Sequence, residues 1–168
     1  VDIKKIEKKI NFKISEKQNF IEYSPLGFKY LEDIFRLLKI NKGGLLIIDY
    51  GFFTKKMKDT LQAIHEKKYS NILKNIGKSD ITYNINFYLI KEIAKNFKNL
   101  DTNFTSQKKF LNNLGIQERA EIVSKNKKFT EKVDIFYRLK RLVNEKEMGD
   151  LFKVMLIKNS NNNSQTGF

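Results

Sequence analysis

Apolar positions two residues apart at Ile10, Phe12 and Ile14 predict an extended edge strand or hairpin over residues 1–24. Ser24-Pro25 then opens a helix, with Ser as N-cap and Pro at the first helical position. Leu31, Ile34, Phe35 and Leu38 continue it as one apolar stripe. Asn41-Lys42-Gly43-Gly44 ends that helix, with glycine expected as a left-handed C-cap. The next stretch, GGLLIIDYGFF, is apolar on successive residues, which predicts a strand buried on both faces. DTLQAIHEKKYSNIL predicts a short helix capped by Asp59, and GKSDITYNINF a loop with short extended chain. FYLIKEIAKNF has helical spacing, TNFTS reads as a strand, and QKKFLNNLGI as a helix closed by Gly115. Ile116 to Val143 is helical with a polar break near Lys125-Asn126, and Phe152 to Ile157 is a final apolar strand. The polar tail 159–168 is expected to be disordered.

A helix, a glycine turn and an apolar strand make an α/β unit. In open α/β sheets ligands bind outside the carboxyl ends of the strands, so Asp49, Tyr50 and Gly51 occupy the expected functional edge. The alternative is that Asp49 merely caps a loop.

Composition narrows the class. The chain has 168 residues, 40% hydrophobic and 14 of them Phe, enough for one folded domain. Cysteine is absent, which removes disulfides and thiolate sites and suits a reducing cytoplasm. The longest apolar runs are too short to span a bilayer. The net charge of +14 invites nucleic acid as a partner. Yet only Arg36, Arg119, Arg138 and Arg141 are arginines, and the lysines are scattered, so a solvated lysine surface is the better reading.

Several catalytic motifs do not occur: G-x-G-x-x-G after a strand, a P-loop, G-x-S-x-G and H-E-x-x-H. A single histidine, His65, excludes a histidine metal cluster, and no metal is expected. Glu32-Asp33, Glu145/Glu147 and Asp101 lie among lysines and read as surface charge.

What remains distinctive is a series of short words: IEYSP (21–25), GGLLIIDYG (43–51), DTLQA (59–63), GKSDIT (77–82), INF (85–87), SQKKFLNNLGIQERA (106–120) and RL…EMGDLFKVMLI (138–157). In order and spacing they resemble the C-terminal half of the MidA family of S-adenosylmethionine-dependent methyltransferases. That family includes mitochondrial complex I assembly factors, for which the implied activity is protein arginine methylation. The resemblance covers nearly all of 21–157.

It implies an α/β fold: a partial Rossmann-like methyltransferase sheet holding the C-terminal strands, with the donor-binding first half absent. GGLLIIDYG would be the fifth strand and FKVMLI the last, running antiparallel. Residues 25–158 would form this half-domain, and about 59–119 a helical insertion capping the carboxyl edge. Asp49, Tyr50, Gly51, Asp80, Thr82, Gln107, Glu147 and Gly149 match family positions and are the candidate cleft-lining residues. For each, fold maintenance is the competing role, and no residue is nominated as catalytic base. S-adenosylmethionine would serve the complete enzyme, and none is expected to bind this chain alone. The expected partners are a missing N-terminal half or a second copy through an open strand edge, together with a protein substrate. The chain departs from the family where His-Val-Asp-Phe reads Asn84-Ile85-Asn86-Phe87, and where a histidine reads Lys67. Those changes mean either lost chemistry or exchanged structural hydrogen bonds. The alternatives are a non-catalytic remnant or interaction module, and a lysine-rich nucleic-acid-binding domain.

Overall fold

A computed structural model describes residues 2–168. The chain starts with a helix, α1 (Ile3–Ile10), where an extended segment was expected. Asp2 caps it by accepting from the Lys5 N–H at 3.1 Å. Ile3, Ile6 and Ile10 lie at helical spacing on one face, and Ile10 is buried. The two-residue spacing from Ile10 to Ile14 straddles the helix end, where Asn11 turns left-handed at φ 51°. Helix α2 (Pro25–Ile40) begins on Ser24, whose hydroxyl accepts from the Gly27 N–H. It ends on Asn41 in extended conformation, not on a left-handed glycine. Gly44 already belongs to strand β1 (Gly44–Phe52).

Residues 59–119, expected as a helical insertion, begin with strands where a helix was expected and continue with both strands and helices. DTLQA enters a hairpin of β2 (Gln62–His65) and β3 (Lys68–Ser70), and β4 (Asp80–Thr82) adds to β2 in a sheet ordered β3-β2-β4. The turn residues Glu66 and Lys67 are both left-handed, at φ 49° and 64°, which turns the chain back tightly instead of continuing a helix. Then come β5 (Ile85–Asn86), α3 (Phe87–Ala94), β6 (Leu100–Ser106), α4 (Gln107–Asn113), α5 (Ile116–Ser124), α6 (Phe129–Val143), α7 (Met148–Leu151) and β7 (Phe152–Asn159).

The main sheet is ordered β5-β1-β7-β6. Strand β7 lies antiparallel between β1 and β6, in register from Gly44↔Lys158 to Tyr50↔Phe152 on one side and from Leu100↔Asn159 to Ser106↔Lys153 on the other. On its second edge β1 pairs with β5 in parallel, only at Gly51↔Ile85 and Phe52↔Asn86. From Leu45 to Tyr50 that edge has no strand beside it among the described residues.

One face of the sheet carries the core. Met155 and Ile157, with Leu45, Ile47 and Phe104, pack under Phe28, Phe35 and Leu38 of α2 and Phe87, Leu89, Ile90 and Ile93 of α3. The other face of β1 is open. Leu46, Ile48 and Tyr50 are 46%, 47% and 43% exposed, so β1 is not buried on both faces as its sequence suggested. Residues 159–168, expected to be disordered, lie against the fold. The Asn159 amide donates to the Leu38 carbonyl at 2.9 Å, Asn162 donates to Lys42, and Phe168 packs on Phe110 with ring centroids 5.2 Å apart. These contacts tie the chain end to the α2–β1 junction and to α4.

Candidate functional site

The carboxyl end of β1 is where strand geometry would place a ligand. Asp49 accepts from the Tyr50 N–H at 2.7 Å and stands opposite Lys153 of β7. Lys153 turns instead to Asp150, at 2.7 Å. Tyr50 lies against its cross-strand neighbour Phe152, ring centroids 4.2 Å apart, on the open face. Gly51 has a packing reason: a Cβ there would strike the Ile85 carbonyl and the Phe87 ring.

Across the sheet, Ser106 pairs with Lys153, so β6 delivers Gln107 to the same end. Gln107 is buried, and its amide donates to the Leu142 carbonyl at 2.9 Å, tying α4 to the last turn of α6. Gly149 opens a close approach, since a Cβ would collide with the Val143 carbonyl. Glu147 precedes α7 and makes no side-chain cap bond. Asp80 and Thr82 lie apart, on the exposed β4 of the small sheet, where Thr82 accepts from Gln62 at 3.1 Å. The structure thus gathers Asp49, Tyr50, Gly51 and Gln107 at one end of the main sheet and puts Asp80 and Thr82 in a different sheet.

The concavity lies elsewhere. A groove of about 580 Å³ runs between residues 20–24, α2, β1, residues 57–61 and the start of α3. Its walls are mostly apolar: Phe28, Leu31 and Ile34, Leu45 and Ile47, Met57, Ile85 and Leu89. Its polar groups are organised by Glu22. That carboxylate accepts from the Thr60 N–H at 2.9 Å and the Thr60 hydroxyl at 2.7 Å, while the same hydroxyl accepts from the Asn84 N–H at 2.9 Å. Tyr23 stacks on Phe28 with ring centroids 4.9 Å apart. Burial pushes the Tyr23 phenol up from its ordinary value, against the opposing pull of the Lys9 charge. Sequence reading missed this groove because its walls come from five separated segments. The one available hint was the clustering of apolar residues in words beside IEYSP and INF.

The departures now have places. Asn86 is the N-cap of α3, accepting from the Tyr88 and Leu89 N–H groups at 3.0 and 3.3 Å. An aspartate would accept the same two bonds, so this exchange preserves a structural role. Lys67 sits exposed in the β2–β3 turn. Asn84 lines the groove. His65 donates from Nδ1 to the Lys78 carbonyl at 2.9 Å, closing the small sheet.

Among the described residues, no group of three His, Cys, Asp or Glu could hold a metal ion, and no helix is long and apolar enough to cross a membrane.

Residues 2–105, more than half of the chain, match the family model described as "Putative S-adenosyl-L-methionine-dependent methyltransferase". The chain belongs to this family, the MidA methyltransferases. It is 25% identical over 138 residues to the human "Protein arginine methyltransferase NDUFAF7, mitochondrial", covering 82% of this chain and 31% of that protein. The same-named protein of Xenopus tropicalis is 24% identical over 139 residues, covering 82% and 32%. This MidA-family chain therefore spans about a third of the length of these relatives.

Its fold is shared with an uncharacterized protein from Burkholderia thailandensis, at a TM-score of 0.71 and 23% identity, over 82% of this chain and 39% of that one. A crystal structure from the same organism with S-adenosyl-homocysteine bound aligns at a TM-score of 0.67 and 23% identity, over 82% and 38%.

Two strand-to-helix junctions of the main sheet lie at the end where a nucleotide would approach. Both parallel-strand-to-helix junctions of the main sheet, Asn86-Phe87 and Ser106-Gln107, lack glycine. The groove's one carboxylate, Glu22, is already engaged with Thr60.

Proposed function

We propose that this chain contributes the C-terminal strands of a Rossmann-like, S-adenosylmethionine-dependent protein methyltransferase. Donor binding then requires a further segment that completes the sheet, and the chain alone neither binds the donor nor transfers methyl groups. The observation that carries this reading is the edge of β1. Leu45 to Tyr50 is hydrogen-bonded to β7 on one side and has no strand on the other among the described residues, although its sequence is apolar. An open edge of that kind takes up another strand.

The antiparallel β7 inserted between β1 and β6 supports the assignment of β1 and β7 as fifth and last strands. Asp49 and Tyr50, at the carboxyl end of β1, are the proposed cleft-lining groups, with Gln107 and Gly149 holding the neighbouring elements. By analogy with the relatives' names, the acceptor is protein arginine. A guanidinium needs carboxylates to orient it, and Asp49 is the proposed one, since Asp150 at the same end is held by Lys153.

The test is donor binding by calorimetry with S-adenosyl-homocysteine. The chain alone should give no heat. Mixed with the remaining N-terminal portion of a Burkholderia thailandensis relative, it should form a complex that binds the nucleotide. A complex that forms and stays blind to the nucleotide would favour the non-catalytic interaction module instead.

A further inference from the structure

We propose that the loop joining β3 to β4 is a membrane-contact site, which sets its apolar turn corners into an anionic lipid surface and its lysines among the headgroups. This goes beyond the methyltransferase reading and does not depend on it.

The loop repeats one four-residue pattern. Asn71-Ile72-Leu73-Lys74 is followed at once by Asn75-Ile76-Gly77-Lys78. Each unit closes as a turn, with the Lys74 N–H donating to the Asn71 carbonyl and the Lys78 N–H to the Asn75 carbonyl, both at 2.9 Å. The Asn71 side chain also accepts from the Leu73 N–H at 2.9 Å, and Asn75 and Gly77 are left-handed at φ 57° and 77°. The bonds that hold this shape use backbone and asparagine groups and engage neither lysine ammonium.

Turn corners are ordinarily Gly, Pro, Asn, Asp or Ser. Here they carry Leu73 and Ile76, 81% and 79% exposed, with Ile72 exposed beside them. A Cβ added at Gly77 would meet nothing within 4 Å, so the second corner stands in open space. The small sheet bearing the loop is anchored at its base, where Asn84 bonds to Thr60 and Thr60 to Glu22. Large apolar groups gathered in water without packing mark a contact surface.

The charge of the same loop narrows what it contacts. Residues 71–79 contain no acid. Extending to 66–80 adds Lys67 and Lys68 against Glu66 and Asp80, so that stretch holds four lysines and two carboxylates. None of the six forms an ion pair among the described residues.

Apolar corners and lysines alternate along one loop, so a single surface must satisfy both. An anionic bilayer does, because its acyl boundary takes apolar side chains and its headgroups take ammonium groups. Duplex nucleic acid offers the corners nothing, and a second copy sets lysine against lysine. A protein partner would need a pocket for each protruding corner, whereas a fluid bilayer yields to both.

The experiment uses the full chain and vesicles of phosphatidylcholine with or without phosphatidylglycerol. The chain has no tryptophan, so Leu73→Trp places a single reporter at the first corner. Its emission should shift to the blue on vesicles containing phosphatidylglycerol and be quenched by lipids brominated along the acyl chain. Ile122→Trp, at an exposed position of α5, should show neither change. Lys74→Gln with Lys78→Gln should weaken vesicle binding about tenfold, whereas Lys4→Gln with Lys8→Gln, the same charge change on α1, should cost less than about twofold. Leu73→Ser with Ile76→Ser should also weaken it about tenfold, with circular dichroism confirming the fold. Failure of the parent chain to bind the anionic vesicles overturns the proposal, as does binding that leaves the Leu73→Trp emission unchanged. So do equal losses from the two lysine pairs, or duplex DNA producing the same blue shift. None of these readouts involves the nucleotide, so failure here leaves the methyltransferase reading standing, and failure of that reading leaves this one.

Discussion

Gly51 of β1 stands opposite Ile85 of β5, so close that a Cβ on the glycine would strike the Ile85 carbonyl oxygen. The Phe87 ring closes the same space. This contact joins the main sheet to the start of α3 and fixes where the free edge of β1 ends. Gly51→Ala should cost about 3 kcal/mol, since backbone and a buried ring both have to move. Urea unfolding measures it, and a variant within about 0.5 kcal/mol of the parent would mean that β5 is not held there.

Asn86 supports that junction from the next position. Its carbonyl oxygen accepts from the N–H groups of Tyr88 and Leu89, two donors in the first turn of α3. Asn86→Ala should lower stability by about 1 kcal/mol. Asn86→Asp keeps the acceptor and adds a negative charge at the helix start, so it should match or slightly exceed the parent. Equal losses in both variants would show that the amide nitrogen, and not the capping oxygen, matters at this site.

These two residues also show what the sequence could reveal. The helix with a recognisable start was legible at Ser24-Pro25, because its local cap and apolar spacing agree there. The apolar strands β1 and β7 were legible for the same reason. The β2–β3 hairpin was not, because Glu66 and Lys67 take left-handed conformations that usually announce themselves as Asn-Gly. Helix α1 was hidden because its last apolar residue, Ile10, begins a second, two-residue spacing through Phe12 to Ile14. The position of Asp49 at a strand end was readable, whereas the groove was not. Glu22, Thr60 and Asn84 meet through hydrogen bonds spanning more than twenty residues, and no local pattern encodes that meeting.

The tail offers a third prediction. Phe168 packs on Phe110 at a centroid separation of 5.2 Å, and Asn113 donates to the Gly167 carbonyl at 3.3 Å. Phe168→Ala should therefore destabilise the fold by about 1 kcal/mol, where a tail free in solvent would give no change. Protease cleavage just beyond Ser160 should accelerate in the variant, and unchanged cleavage and stability together would count against the docked tail.

The fourth concerns pH and the start of α6. Glu131 accepts from the Lys128 N–H at 3.1 Å, and its other oxygen lies 3.3 Å from the Lys127 ammonium. The backbone bond first, and the lysine second, hold this carboxyl below the usual glutamate range. The sign follows from the direction of the shift. A carboxyl that ionises more readily when folded contributes stability above its unfolded value, and loses it as pH falls through the lowered folded value. Protonation removes the acceptor charge that fixes the first turn of α6, so that turn should loosen in acid before the global transition. Carboxyl carbon shifts followed by NMR should show Glu131 titrating below an unstructured glutamate. In Glu131→Gln the acid-induced loss of protection at the first amides of α6 should disappear. Titration at the value of a free peptide would remove the charge from the account and leave α6 to be started by packing alone.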